Sequence, residues 1–397
     1  MTDDALAAVR RAFRSEHGRT VAILLRILGD LDVAEDAVQD AFEAAASAWP
    51  TQGVPPNPQA WIVQTARRRA IDRIRRAQTE RRFAPQLAPD PVAQPEGGDD
   101  ELRMILLCAH PALSPESQVA LTPRYAGGLT AAEIARAFGS PEQAVAQRLS
   151  RAKRKIREAR IGLPEPDRVR DRLGVVLAVI YAIANEGYVA TAGPLSRFDL
   201  SQEAVRLARL VAGHARGEPE AKGLLALLLL LQARRPARIA GDGGLVPLPE
   251  QDRARWDPGM IAEGQALVRA CLATNRPGPY QLQAAIQAVH SDAGRDEDTD
   301  WGQILALYDM LVPLVPTDAV RTARIVALSH VAGPDAALAQ LDAEADDRYA
   351  LAVRADLLER LGRPAEARAL FLRAAEAAPN DAERAHLRRR AEIAGSG

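Results

Sequence analysis

Glutamines and arginines that share one face of a helix can hydrogen-bond base edges and phosphates, and residues 128–157 (GLTAAEIARAFGSPEQAVAQRLSRAKRKIR) carry such a set. Gln143, Gln147, Arg148 and Arg151 fall on one face and are followed by Lys153, Arg154, Lys155 and Arg157. Val145, Leu149, Ala152 and Ile156 recur on the opposite face at i, i+4, i+7 and i+11, the spacing of a buried stripe. Between Val145 and Arg160 seven Lys/Arg stand against one Glu, a net of +6. Upstream, Thr130 with Glu133 reads as a capping box, and Ser140 with Gln143 as a second. Pro141 is expected at the first helical position and Gly139 at the joint between the helices. Two capped helices so closely joined predict a helix-turn-helix, whose second helix lies in the DNA major groove. The plainer alternative is a solvated basic helix.

A second basic helix is predicted over AWIVQTARRRAIDRIRRAQTERR. Trp61, Ile62, Ala66, Ala70, Ile71 and Ile74 face inward. Arg67, Arg68, Arg69, Arg73, Arg75, Arg76, Arg81 and Arg82 project outward against Asp72 and Glu80, again a net of +6. Trp61 reads first as core, and otherwise as a platform for an unpaired base. Ahead of it, LDVAEDAVQDAFEAAASAW turns Val33, Ala37, Val38, Ala41 and Phe42 inward, while Asp32, Asp36, Asp40 and Glu43 form an outer stripe. From Asp30 to Glu43 there are six acids and no base, which fits either a solvated face or a docking surface for a basic partner. Residues 4–28 read as a pair of helical segments.

The elements that must hold these residues are helical throughout. Hydrophobic residues make up 47% of the 397, but aromatics only 4%, so Ala, Leu, Val and Ile must fill the cores and helices are favoured. Residues 84–100 (APQLAPDPVAQPEGGDD) hold four prolines, two glycines and no apolar period, and read as a linker. Extended, they would reach up to about 58 Å, enough for the two basic helices to touch one duplex more than about one and a half turns apart. Beyond residue 165, periodic segments separated by short Gly/Pro joints predict a stack of helical hairpins. The clearest is Arg348–Asp381, 34 residues long, with Ala355, Leu358, Gly362, Ala367, Phe371, Ala374 and Pro379 at the positions of a tetratricopeptide repeat. Asn185, Glu186, Gln251, Asp252, Arg253, Gln281 and Gln283 read as groups that cap and cross-link these helices, or alternatively as a partner or ligand pocket.

Composition narrows the function. The net charge of −1 excludes a whole-molecule polyanion binder, so charge segregation is what matters. The two cysteines, Cys108 and Cys271, give neither a disulfide framework nor zinc spacing, and a reduced cytoplasmic protein is expected. The six histidines are dispersed, and no metalloprotease, serine-elbow or phosphate-loop spacing occurs. Neither catalysis nor a metal or cofactor is expected. The start MTDDALAAVR lacks an apolar signal core, and Leu224–Leu231 is too short to span a bilayer.

DVAEDAVQDAF (Asp32–Phe42), Trp49-Pro50 and AWIVQTARRRAIDRIRR resemble region 2 of extracytoplasmic-function (ECF) sigma factors. LSPESQVAL, GGLTAAEIARAFGSP and QRLSRAKRKI, within Leu113–Ile156, resemble their region 4. The tail phrases NEGY, EQDRARWD, GPYQLQAAIQAVH, TDWGQI and LLERLGRPAEARALF resemble the extension of one subgroup. The resemblance implies an all-α chain divided as region 2 (1–84), linker (85–100), region 4 (101–160) and a tetratricopeptide-like regulatory domain (165–397). It implies core RNA polymerase and promoter DNA as partners, with a further partner or intramolecular contact through the tail. Asp32, Asp36, Gln39, Asp40 and Glu43 would meet the polymerase. Asn57, Trp61, Arg67, Arg68, Arg69, Arg73, Arg75 and Arg76 would meet the −10 element, with Asp72 an ion-pair acid. Thr130, Ser140, Gln143, Ala144, Gln147, Arg148, Arg151, Lys153 and Lys155 would meet the −35 element. The chain departs from the family pattern at Val145, where Thr is usual, at Gln118, where Arg is usual, and at Pro123, which must kink or end its helix. A stand-alone helix-turn-helix regulator is the alternative reading. It would need neither the acidic stripe nor the second basic helix.

Overall fold

The computed structural model describes residues 2–80, 99–138, 140–188, 198–241, 244–342 and 345–395. Among these the only strand-like pairing is an isolated bridge between Ile239 and Leu245. The chain forms two compact units, one from Met1–Arg136 with Ser140–Ala182 and the other essentially from Ile183–Gly397.

In the first unit, Thr2–Leu28 forms α1 as one unbroken helix, where the sequence suggested two segments. Its interior Gly18 costs about 1 kcal/mol relative to Ala in an isolated helix. A Cβ at Gly18 would overlap the Tyr125 carbonyl oxygen, so the glycine serves a close backbone approach and does not mark a break. After Gly29 (φ 70°), Asp30 caps α2 (Leu31–Gln52), its Oδ1 accepting from the Asp32 and Val33 amides at 2.9 and 3.1 Å. Asn57 Oδ1 accepts from the Ala60 amide at 3.0 Å at the start of α3 (Pro58–Glu80). The linker reading falls almost wholly on 81–98, outside the described residues; its last two positions, Asp99 and Asp100, already begin α4 (Asp99–Cys108).

Ser114 caps α5 (Pro115–Tyr125), which ends two residues after Pro123, as a proline in the last turn requires. Gln118 is buried and donates to the His110 and Leu113 carbonyls at 3.0 and 3.3 Å, which closes the α4–α5 loop. α6 (Ala131–Ala137) and α7 (Glu142–Glu158) follow. Leu24, Val38, Ile62, Leu106 and Leu121 are among the fully buried residues of this unit.

The boundary between the units lies within α8 (Val169–Tyr188). Beyond it come α9 (Phe198–His214), α10 (Pro219–Ala233), the short α11 (Arg235–Arg238), α12 (Pro258–Leu272) and α13 (Pro279–Asp292). α14 (Trp301–Leu311), α15 (Asp318–Val331), α16 (Gly333–Gln340), α17 (Arg348–Arg360), α18 (Pro364–Glu376) and α19 (Asp381–Ala394) complete the chain. α10 carries the longest apolar run and packs against α9, α12 and α13, with Leu224–Leu230 buried on every side. α17 and α18 form a hairpin about Gly362 (φ 73°), which buries Ala355, Leu358, Ala367, Phe371 and Ala374 in one cluster with α19.

The polar phrases of the tail cross-link its helices. Gln281 Nε2 donates to Glu220 Oε1 at 3.0 Å and to the Arg276 carbonyl at 2.9 Å. Arg253 donates to the His290 and Ala293 carbonyls at 2.6 and 2.8 Å, and its guanidinium lies over Trp256. Trp301 stacks on His330 at 3.8 Å. Cys108 and Cys271 are free, buried thiols, one in each unit.

Candidate nucleic-acid interface

Binary patterning divides α7 cleanly. Val145, Leu149, Ala152 and Ile156 are buried, whereas Gln143, Gln147, Arg151, Arg154, Lys155 and Arg157 are exposed. Arg148, Ala144 and Lys153 lie at intermediate depth. The Thr130–Glu133 box forms as read. The Thr130 amide donates to Glu133 Oε2 at 2.8 Å, and the Glu133 amide to Thr130 Oγ1 at 3.2 Å.

The start of α7 departs from the sequence reading. Pro141 is the N-cap and Glu142 the first helical residue, and Pro141 itself supplies no side-chain cap. The half-buried Ser140 instead closes the preceding helix, its amide donating to the Ala135 carbonyl at 2.9 Å. Pro141 cannot continue a helix backwards through an amide hydrogen bond, and its ψ of 137° places it outside the helical region. The expected joint residue Gly139 lies outside the described residues.

On α3, Ile62, Ala66 and Ala70 are buried and Arg68 and Arg69 exposed; Arg67 and Arg73 are half-buried, and Asp72 is exposed. The side chains of Arg75 and Arg76 lie outside the described residues. Trp61 is half-buried with its ring edge-on to the buried Trp49 at 5.7 Å.

α2 lies against both basic helices. Toward α3, Arg73 bridges Asp36 at 2.7 Å and Asp40 at 2.9 Å. Both pairs are partly solvated and contribute little to stability. Gln39 Nε2 donates to Glu43 Oε1 at 3.3 Å, and both residues are exposed. Toward α7, Asp32 meets Arg157 at 2.5 Å and Lys153 at 3.1 Å.

The residue that gathers most partners is Glu35, which the sequence reading counted only as one acid among six. Its carboxylate accepts from the Arg124 guanidinium at 2.6 and 3.1 Å, the Tyr125 hydroxyl at 2.7 Å and Lys153 Nζ at 3.1 Å. Burial opposes its ionisation, but Arg124, the Tyr125 hydroxyl and Lys153 outweigh it and hold the carboxyl down at about 2. Burial and the neighbouring carboxylate push the Tyr125 hydroxyl well up. Beside them His17 sits buried among Phe13, Phe42 and Tyr125, lowered to about 3 by burial and then by Arg124. The inward position of Glu35 within the stripe Ala34, Ala37, Val38 was the available signal.

Family models match this arrangement in chain order. Sigma-70 region 2 matches residues 12–80, Sigma-70 region 4 matches 103–156, and a family of unknown function (DUF6596) matches 172–272. A probable ECF RNA polymerase sigma factor SigI of Mycobacterium tuberculosis (strain H37Rv) is 32% identical over 38% of this chain and 56% of its own length. An ECF RNA polymerase sigma factor SigK of Mycobacterium ulcerans is 29% identical over 41% of this chain and 92% of its own. The chain carries sigma-70 regions 2 and 4 in the order of the ECF sigma factors it is similar to.

An uncharacterized protein of Rhizobium meliloti (strain 1021) is 40% identical over 95% of this chain and 93% of its own, and so spans the helical extension as well. No solved structure matches the chain. As a sigma factor the protein binds core RNA polymerase and promoter DNA in transcription initiation. Among the described residues, no helix is long and apolar enough to cross a membrane.

Proposed function

We propose that the acidic ridge of α2 (Asp32, Asp36, Gln39, Asp40 and Glu43) docks on core polymerase. Asn57, Trp61 and Arg67, Arg68, Arg69, Arg73, Arg75 and Arg76 engage the −10 element, and α7 with Thr130 and Ser140 reads the −35 element. The observation that carries this reading is the partition of α7. Its four apolar residues are spent on the core, leaving two glutamines and a run of cations facing outward.

A groove of roughly 410 Å³ between the start of α5 and α7 supports it further. Arg148, Arg151 and Lys155 line this groove together with Ser114 and Ser117 at the N-terminal end of α5. Cations and hydroxyls so combined suit a DNA phosphate. Glu116 also lines it.

Residues 1–84 and 101–160 are then the two recognition domains, joined by 85–100. Residues 165–397 form a regulatory domain whose 348–381 hairpin is tetratricopeptide-like and offers a partner surface. The protein acts in the cytoplasm as a specificity subunit without catalysis of its own.

The test is run-off transcription with purified core polymerase. The Asp36→Arg/Asp40→Arg double variant should keep its helical circular dichroism, since the lost ion pairs are solvated, yet fail to co-elute with core polymerase and give no promoter-dependent transcript. Retained co-elution would remove the docking assignment.

A further inference from the structure

In the second unit, α18 uses two of its faces for different purposes. Ala367, Phe371, Ala374 and Ala375 are buried in one cluster with residues of α17 and α19. A separate stripe, Glu366, Ala369, Leu370 and Arg373, falls at i, i+3, i+4 and i+7 and lines a groove of roughly 380 Å³ together with Arg354 and Leu358 of α17. Leu338 of α16 lines it as well.

This groove mixes leucines with cations. Leu358 is buried, and Leu338 and Leu370 are half-buried where they pack on the α17–α19 cluster. Arg363 and Glu366 neutralise each other, joined by two hydrogen bonds of 2.7 Å. Arg354 donates to the Asp342 carbonyl, a neutral acceptor that leaves its charge in place. Arg373 is exposed, and among the described residues it meets no carboxylate. Beyond the Arg363–Glu366 pair, two guanidiniums therefore stand over an apolar floor.

That combination selects an occupant. A nucleic-acid backbone would meet the cations but leave the leucines uncovered. A basic segment would set like charges against each other, and a purely apolar one would desolvate two guanidiniums with no counter-charge. A helix with apolar anchors on one face and Asp or Glu beside them satisfies both halves of the groove, and the arginine forks can take its carboxylates bidentately. We propose that this groove docks an acidic amphipathic helix of a partner protein, laid along α17 and α18. The proposal rests on the reading of residues 165–397 as a partner-binding regulatory domain and gives that partner its chemistry.

The test is fluorescence anisotropy on the full chain. The probe is a labelled model helix of about 18 residues, with Leu at i, i+3, i+4 and i+7 and Glu at most other positions; its Lys counterpart is the control. Wild type should bind the Glu helix and not the Lys helix. Excess mixed-sequence duplex of about 40 base pairs, which occupies the basic helices of the first unit, should not displace it. Arg354→Glu/Arg373→Glu should weaken binding at least about tenfold. Ala369→Trp, at an exposed position, should do the same by filling the groove without changing its charge. Should circular dichroism show that the double variant misfolds, Ala369→Trp carries the readout alone.

Failure of wild type to bind the Glu helix overturns the proposal. So do equal binding of the Lys helix, displacement by duplex, and unchanged affinity in folded Ala369→Trp. Added to run-off transcription, the Glu helix should alter yield with wild type and not with Ala369→Trp. Groove-dependent binding that leaves the yield unaltered supports the docking site and counts against the regulatory reading of the tail instead.

Discussion

At the scale of single residues, the buried network makes a pH-dependent prediction. His17 is held at about 3 in the fold against an ordinary 6.5, and Glu35 at about 2 against 4.5. Both folded values lie below the unfolded ones, so in each case the unfolded chain binds the extra proton and stability falls on acidification. His17 contributes stability that is present above pH 6.5 and lost toward 3; Glu35 contributes stability present above 4.5 and lost toward 2. A shift of the size seen at Glu35 corresponds to an upper limit on the order of 3 kcal/mol.

Urea unfolding of the first unit across this range should therefore lose stability in two legs. His17→Gln should flatten the upper leg and Glu35→Gln the lower one. On the exposed face of α7, Gln147→Ala should change −35 preference by about 1–3 kcal/mol if its amide pairs bidentately with a base, measured as relative affinity across a panel of −35 variants.

The exposed chemistry of α7 was legible in the sequence, because period and polarity are local properties. The role of Glu35 was not, because its partners lie 89, 90 and 118 positions away. Asp32, Asp36 and Asp40 were read as free acids for the same reason, and each has a cation from another helix beside it.

At the scale of elements, the tail forms the succession of helices that its apolar period predicted, Trp301–Leu311 among them. Periodicity failed over residues 4–28, where it suggested two segments and a single helix forms. Gly18 lies inside α1, and only the backbone of α5 explains why it is there. The first turn of α7 was misplaced by one residue, since Pro141 serves as a stop and not as the first helical position. The α17–α18 hairpin buries the small and aromatic residues Ala355, Ala367, Phe371 and Ala374 together, because they meet across a tight turn. Phe371 is the largest side chain of that cluster and is fully buried, with the Arg390 guanidinium 4.8 Å from its ring. Phe371→Ala should cost about 3–5 kcal/mol in the second unit, read as a lowered urea midpoint, while leaving the unfolding of the first unit unchanged.

At the scale of the whole molecule, a net charge near zero conceals two basic helices and an acidic one that partly neutralise each other in place. The sequence revealed the segregation but not the pairing, since amphipathic faces show what will be covered and not by which neighbour. Ending the chain after Tyr188 should leave the first unit cooperatively folded, because that compact unit ends at Ala182, and yet change run-off yield from core polymerase. Unchanged yield would show that the extension is silent under that condition.

The two thiols carry a last consequence. Burial drives Cys108 far up and Cys271 to about 11, so near neutrality neither offers the thiolate on which peroxide or a foreign disulfide must act. An oxidant acting on either thiol would first have to open the fold that buries it.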